Sequence, residues 1–201
     1  MKRKIQICLA AAAVIVVPSL SQAGISGTDH DLSTKQWGTD QQCVFCHTPH
    51  NAKASGSVPL WNHTTTTATF TPYASSTLNA TVGQPAGISK ACLSCHDGSI
   101  AIDAFGGNTG SHLLTGSANF GTDLSNDHPI SFTYNAALAT ADSGLVTPQA
   151  DGKWVDAGHT IPLYNGQLEC ASCHNPHSDT YKPFLRKSNA GSALCLSCHS
   201  K

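Results

Sequence analysis

One short unit recurs four times in the sequence: two cysteines separated by two residues and followed directly by a histidine. The four units are Cys43/Cys46/His47, Cys92/Cys95/His96, Cys170/Cys173/His174 and Cys195/Cys198/His199. The chain has 11 histidines in 201 residues, so a histidine after all four pairs by chance has a probability of roughly one in a hundred thousand. Disulfides or zinc ribbons would use the cysteine pairs but leave the four histidines unexplained.

The spacing within each unit suits covalent attachment of haem. Residues three apart on one helical turn face the same way, so both sulfurs can bond to the vinyl groups along one edge of a porphyrin. The histidine that follows is placed to ligate the iron. We therefore predict four c-type haems. Their attachment residues would be Cys43, Cys46, Cys92, Cys95, Cys170, Cys173, Cys195 and Cys198, and their proximal ligands His47, His96, His174 and His199.

A second ligand for each iron must come from the remaining histidines, because the only methionine is Met1. Seven histidines remain, and four are predicted as distal ligands: His30, His50, His128 and His177. Whether His63 or His112 replaces one of them stays open, and His112 and His159, in glycine-flanked loops, are expected at the surface.

Prolines shape this choice of distal ligands. His50 and His177 each follow their own unit by three residues, across Pro49 and Pro176. Proline fixes its own φ and favours an extended preceding residue, which ends the turn that carries the cysteines. Each of these histidines should therefore point away from its own haem and toward a neighbouring one. Acids beside His30 and His128, namely Asp29, Asp31 and Asp127, could orient the rings or could be solvated loop residues.

The N-terminal segment indicates export. Three basic residues precede an apolar run, and Ser21-Gln22-Ala23 supplies small residues for cleavage, so residues 1–23 are interpreted as a signal peptide. Residues 24–201 would then form one domain that carries 8 basic and 12 acidic residues, a net charge of about −4. This charge argues against nucleic-acid binding. No other run is long and apolar enough for a membrane span.

The units form a doubled pattern, with one pair of haem sites at 43–96 and a second at 170–199. Between them, runs such as 64–69 and 104–110 indicate loops. Phe132–Tyr134 and Gly166–Cys170 could pair as short strands. We therefore predict a multihaem cytochrome c made mostly of loops, with short helices and few short strands, wrapped around a stacked haem chain.

Several segments beyond the haem units resemble one family. They include H30-D-L-S33, P59-L-W-N62, C92-L-S-C-H-D-G98 and N126-D-H-P-I130. The chain resembles the tetrahaem cytochromes of metal-reducing bacteria that include the OmcE-type extracellular filament. The resemblance implies bis-histidine haems in a continuous stack. It also implies protomers that polymerise head to tail, with His30 as the candidate ligand to the haem of a neighbouring subunit.

The expected function is electron transfer without catalysis, between redox partner cytochromes and external electron acceptors, in an extracellular filament at the cell surface. Two alternatives stay open. A soluble periplasmic carrier would use the same haems as a monomer. A multihaem reductase would need an iron with an open coordination position, which the supply of histidines does not require.

Overall fold

Short elements separated by long irregular stretches make up the structure, a computed structural model that describes residues 24–53 and 58–200. The predicted signal peptide, residues 1–23, lies outside the described residues. Three α-helices span Gly87–His96 (α1), Ala136–Ala141 (α2) and Cys170–Cys173 (α3), and two strands span Phe132–Thr133 (β1) and Gln167–Leu168 (β2). Single turns of 3-10 helix occupy Leu32–Lys35, Gly116–Ala118, Ala190–Ser192 and Cys195–Ser197. No helix in the described ranges has the length and apolar character needed to cross a membrane.

The two strands pair antiparallel, with Phe132 opposite Leu168 and Thr133 opposite Gln167, which confirms the pairing expected from the sequence. Asn165 and Gly166 form a tight turn just before β2 and have φ values of 54° and 74°. An Asn-Gly pair accepts positive φ at both positions, as a type I′ turn requires. This turn brings the chain to α3, whose first residue is Cys170.

The largest apolar cluster lies around this small sheet. It consists of Phe132, Tyr134, Val155, Ile161, Leu163 and Leu168. A second and smaller cluster joins Leu93 of α1 to Phe70 and Leu124. Some large apolar side chains stay exposed instead, namely Leu60, Leu113, Phe120, Tyr181 and Leu196. The structure therefore confirms a chain of mostly loops with few short helices and a two-stranded sheet, in which small protein cores leave apolar surface uncovered.

Helices α1 and α3 pack on each other and carry the second and third cysteine pairs. The helix α1 begins after an extended Ala86 and ends before Gly98, whose φ of 69° turns the chain away from the helix axis. On its buried face, Ser89, Ala91, Leu93 and Ser94 are buried. This packing fixes the relative position of two haem units that are 78 residues apart in sequence, at Cys92 and Cys170.

Candidate haem-binding site

Each of the four cysteine–histidine units forms a single turn of backbone. Cys92 and Cys95 lie on α1, and Cys170 and Cys173 begin and end α3. In the other units the histidine amide bonds to the carbonyl of the first cysteine, at 2.8 Å for His47 to Cys43 and 2.9 Å for His199 to Cys195. This turn places the two sulfurs of a unit on the same side. The eight cysteines of the four units are unpaired thiols, so the described part of the chain contains none of the disulfides that the sequence left open.

Cysteines of successive units affect one another electrostatically, first with second, second with third and third with fourth. Cys95 lies close enough to Cys46 for the two thiols to interact electrostatically, and Cys198 is likewise close to Cys173. In each case desolvation is the main cause of the raised pKa, to about 12 for Cys95 and about 12 for Cys198. Between them, the hydrogen bond that Cys92 shares with Cys170, with burial, raises the pKa of Cys92. Each unit thus has at least one cysteine in the electrostatic environment of a cysteine from another unit.

Three of the four histidines that end the cysteine units face a second imidazole from a distant part of the chain. The ring centres are 6.1 Å apart for His47 and His177 and 6.1 Å apart for His30 and His96. They are 6.4 Å apart for His128 and His199. The two rings of the first pair are nearly parallel, at 22°, whereas the other two pairs are nearly perpendicular, at 83° and 77°.

This separation matches the size of a bis-histidine iron site. A metal–imidazole bond is about 2 Å long and the ring nitrogen lies about 1.1 Å from the ring centre, so two rings on opposite sides of one metal ion have centres about 6 Å apart. The paired rings lie within the range of aromatic contact, and no hydrogen bond joins the two rings of any of these pairs. The residues present therefore fit an iron centre held between each pair.

Backbone carbonyls orient most of these rings. The Nδ1 atoms of His47, His96 and His174 lie 2.8, 2.8 and 3.0 Å from the carbonyl oxygens of Pro59, Ala118 and Pro183. The Nδ1 atom of His128 similarly lies 2.9 Å from the Pro129 carbonyl. A ring that donates its Nδ1 proton to a carbonyl presents an unprotonated Nε2 atom as the metal ligand. Sequence analysis considered Asp29, Asp31 and Asp127 for this orienting role, but within the described residues none of them is hydrogen-bonded to a histidine ring.

The surroundings of three rings also favour the neutral imidazole over the charged one. Desolvation, with the nearby His96, lowers the pKa of His30, and desolvation with His47 lowers the pKa of His177. The pKa of His128 is lowered mainly by desolvation, and His199 adds to the effect. A neutral imidazole is the form that ligates metal. The positions of His30, His128 and His177 therefore suit the ligand role predicted for them from the sequence.

His174, the histidine of the third unit, is the exception: it faces no other imidazole among the described residues. His50, a predicted distal ligand, is exposed, and its ring contacts no aromatic or charged side chain in the described part of the chain. His30, by contrast, lies against His96 of its own chain. This placement argues against the expectation that His30 reaches a neighbouring subunit, because its ring is already paired within the protomer.

The three remaining histidines make other contacts. His63 is 1 % exposed, and its Nδ1 and Nε2 atoms lie 2.7 and 2.9 Å from two carbonyl oxygens. His112 is exposed, stacks on Trp37 and lies 2.9 Å from Asp103. His159 is also exposed and stacks on Trp154. His63 therefore has no free nitrogen for iron, and the other two are surface residues.

Sequence reasoning missed the groups that orient the ligands. The carbonyls of Pro59, Ala118 and Pro183 could not be found from residue type, because every residue carries a carbonyl and only the fold decides which one meets a ring. It also missed Glu169, which is buried beside Cys170 and bonded to Ser89 and Ser131. A single glutamate directly before a haem unit was the available signal.

Comparison with known families supports this interpretation of the cysteine units. The model of the doubled CXXCH motif family matches residues 162–201, which contain the third and fourth units. No curated protein matches the chain significantly. The CXXCH units indicate covalently attached c-type haem, and the match supports a multihaem c-type cytochrome that transfers electrons.

Proposed function

We propose that this chain is a tetrahaem electron-transfer cytochrome whose irons are ligated by histidine on both sides. The observation that carries the proposal is the set of three histidine pairs with ring centres 6.1 to 6.4 Å apart. Bound c-type haem supplies an iron that changes reversibly between ferric and ferrous states. The protein contributes neutral, oriented imidazoles, and it leaves no coordination position for a substrate at the three paired sites. We accordingly propose no catalytic role.

The neighbouring cysteine units support a continuous electron path. Cys46 influences the pKa of Cys95, Cys170 that of Cys92, and Cys173 that of Cys198, which supports haem sites that follow one another. The pair His47/His177 joins the first unit to a ring that follows the third, which also links separate parts of the chain. We therefore place the four haems in one series rather than in isolated sites.

Mass spectrometry and electron paramagnetic resonance test this proposal together. We expect a polypeptide mass increased by four haem units and an oxidised protein with low-spin iron. A different number of haems would contradict the proposal, and so would predominantly high-spin iron.

We further propose that the protein assembles into an extracellular filament and that His50 ligates the haem of another copy. The support is the mismatch within the chain: His174 lacks a second imidazole among the described residues, and His50 is an exposed ring without a partner there. Exposed Leu60, at 53 %, lies on the segment that follows His50 and adds apolar surface for a subunit contact. Assembly would supply the missing second ligand at the His174 site in every protomer except the one at the end of the filament.

Imaging of secreted protein tests the filament. We expect filaments from the unaltered protein and short or monomeric particles from His50→Ala, with high-spin iron at the site of His174. His112→Ala is the matched control, because it removes an exposed ring that lies against Trp37 and Asp103. Monomers of the unaltered protein with four low-spin irons would instead favour the soluble carrier.

The site of His174 is also where a multihaem reductase would need its open position. The two functions differ in the assembled form, because a ligand from another copy closes the site and a reductase keeps it open. Carbon monoxide added to reduced filaments should not bind if the filament proposal holds. Stoichiometric uptake by intact filaments would favour the reductase.

A further inference from the structure

The only glutamate of the chain, Glu169, is buried where two haem-binding segments meet. Its exposure is 2 %, and it immediately precedes Cys170 as the N-cap residue of α3. Carboxylates are rarely buried this completely unless they are paired or fully hydrogen-bonded. Glu169 therefore needs a physical explanation beyond helix capping.

Four hydrogen bonds from neutral donors hold the Glu169 side chain. The Ser89 backbone N–H (3.2 Å) and the Ser89 hydroxyl both donate to Oε2. The Ser131 hydroxyl donates to the same oxygen at 2.9 Å. In addition, the backbone N–H of Ser172 donates to the side chain in a capping box. No cation compensates the charge, since the ion pairs found in the described ranges are His112–Asp103 and Lys182–Asp179.

The hydrogen bonds to Glu169 are of the kind that a carboxylate accepts. The hydroxyl oxygen of Ser89 accepts from the Cys170 backbone N–H at 2.9 Å, so its own proton is free to point at Glu169. The hydroxyl oxygen of Ser131 likewise accepts from the Ala86 N–H at 3.1 Å. Both serine hydroxyls can thus donate to Oε2 alongside the Ser89 backbone N–H. Glu169 accepts only, as a carboxylate does.

This charge lies next to both of the central haem attachment points. Ser89 is three residues before Cys92, which is one turn along the helix α1. Glu169 is covalently adjacent to Cys170, and the helices α1 and α3, which carry Cys92 and Cys170, pack on each other. The carboxylate consequently sits at the junction of the second and third units, inside the protein, where solvent screening is weak.

We propose that Glu169 sets the reduction potentials of the two haem sites attached through Cys92 and Cys170. A fixed negative charge stabilises the extra positive charge of ferric iron, so it favours the oxidised state at both sites. The inference rests on the proposed tetrahaem function, and Glu169 acts through its electric field without touching iron. The negative charge of Glu169 would thus lower the reduction potentials of the two central haem sites, which electrons cross on their way through the series.

Spectroelectrochemical titration of Glu169→Gln tests the proposal. Glutamine keeps the size of the side chain and can still accept from the serines, but it removes the charge. We expect two of the four couples to move to higher potential. A tenfold change in the ferric-to-ferrous ratio corresponds to about 59 mV for a one-electron couple, and a shift of that order is expected. Asp151→Asn, which removes a charge from an exposed turn, should leave all four couples unchanged.

The result can separate an electrostatic role from a structural one. If Glu169→Gln lowers the thermal stability while all four potentials stay fixed, Glu169 is only a structural cap and the proposal is overturned. Four low-spin haems with unmoved potentials would overturn this inference and leave the proposed function intact. A protein without four haems would overturn the proposed function itself.

A second measurement covers a variant that fails to fold or to bind haem. Because Glu169 is the only glutamate, isotope-labelled glutamate marks this one side chain in infrared spectra of the unaltered protein. We expect a carboxylate band that shifts between the oxidised and reduced states. A protonated-carboxyl band, or a carboxylate band that does not respond to oxidation, would overturn the proposal.

Discussion

At the scale of single residues, the site depends on histidines whose tautomer is set by a neighbouring backbone carbonyl. A carbonyl oxygen at 2.8 Å from the Nδ1 of His47 or His96 accepts the proton there and leaves Nε2 free. The pKa of the opposing ring is lowered in both cases, mainly by partial desolvation, at half-buried His30 and at His177, whose side chain is otherwise exposed. The chain thus supplies ligands that are already oriented, which reduces the entropy cost of closing the iron site.

Replacement of His177 by alanine should open one iron site. We expect about one quarter of the iron to change from low spin to high spin, since one of the four irons loses a ligand. Electron paramagnetic resonance of the oxidised protein measures the change, and the reduced variant should bind carbon monoxide. His112→Ala should change neither signal, because its ring lies against Trp37 and Asp103. Four low-spin irons in the His177 variant would show that this ring is not a ligand.

At the scale of elements, irregular loops are held by specific side-chain bonds in place of regular structure. Asp103 is an example: one carboxylate oxygen accepts from the backbone N–H groups of Ser111 and His112, each at 2.9 Å. These bonds from the backbone and the ring of His112 outweigh desolvation and lower the pKa of Asp103 to about 2. Gly110 lies in the same loop with a φ of 64°.

Gly110→Ala should destabilise this loop. An added Cβ would lie 2.5 Å from Asp103 Oδ1 and 2.8 Å from both the Ala101 Cβ and the Ala104 backbone nitrogen. With the positive φ, we expect a loss of about 2 kcal/mol in the free energy of unfolding. Thermal unfolding of the haem-loaded protein should show a Tm lower by about 4 to 8 °C.

Gly83→Ala is the matched control for this prediction. A Cβ at position 83 meets nothing within 4 Å and has no positive φ to strain it. Its Tm should stay within about 1 °C of the unaltered protein. Equal Tm values for both variants would show that the loop around Asp103 does not contribute to stability.

At the scale of the whole molecule, the protein has little core of its own. The larger cluster has six buried members around the sheet and the smaller one has three. Large apolar side chains such as Phe120 and Leu196 stay about half exposed. Four apolar porphyrins, each tethered by two thioethers and a histidine, would supply the missing core and cover such surface.

Protein without haem should therefore be largely unfolded. We expect calorimetry of chain produced without haem attachment to show no cooperative transition, whereas the haem-loaded protein unfolds cooperatively. Replacement of all eight haem-attaching cysteines by serine gives the same haem-free state without relying on the producing cell. A sharp transition in the haem-free chain would mean that the two small clusters suffice for folding.

Local chemistry was readable from the sequence alone. Residues only a few positions apart define the four units and the single turn that carries each one. The count of histidines shows the surplus available as ligands. The short strand pairing of Phe132 with Leu168 was also predicted, because alternating apolar residues and turn residues mark it locally. The sequence thus determined the kind of cofactor and the open, loop-rich architecture.

Only the tertiary structure decided which histidine faces which. His47 and His177 are separated by 130 residues, and no local pattern encodes a contact across that distance. The same holds for Glu169, whose burial depends on Ser89 and Ser131 arriving from other segments. Residue type and spacing determine what a side chain can bind. The packing of distant segments determines its neighbours and the electric field around it, because both depend on how the whole chain folds around the site.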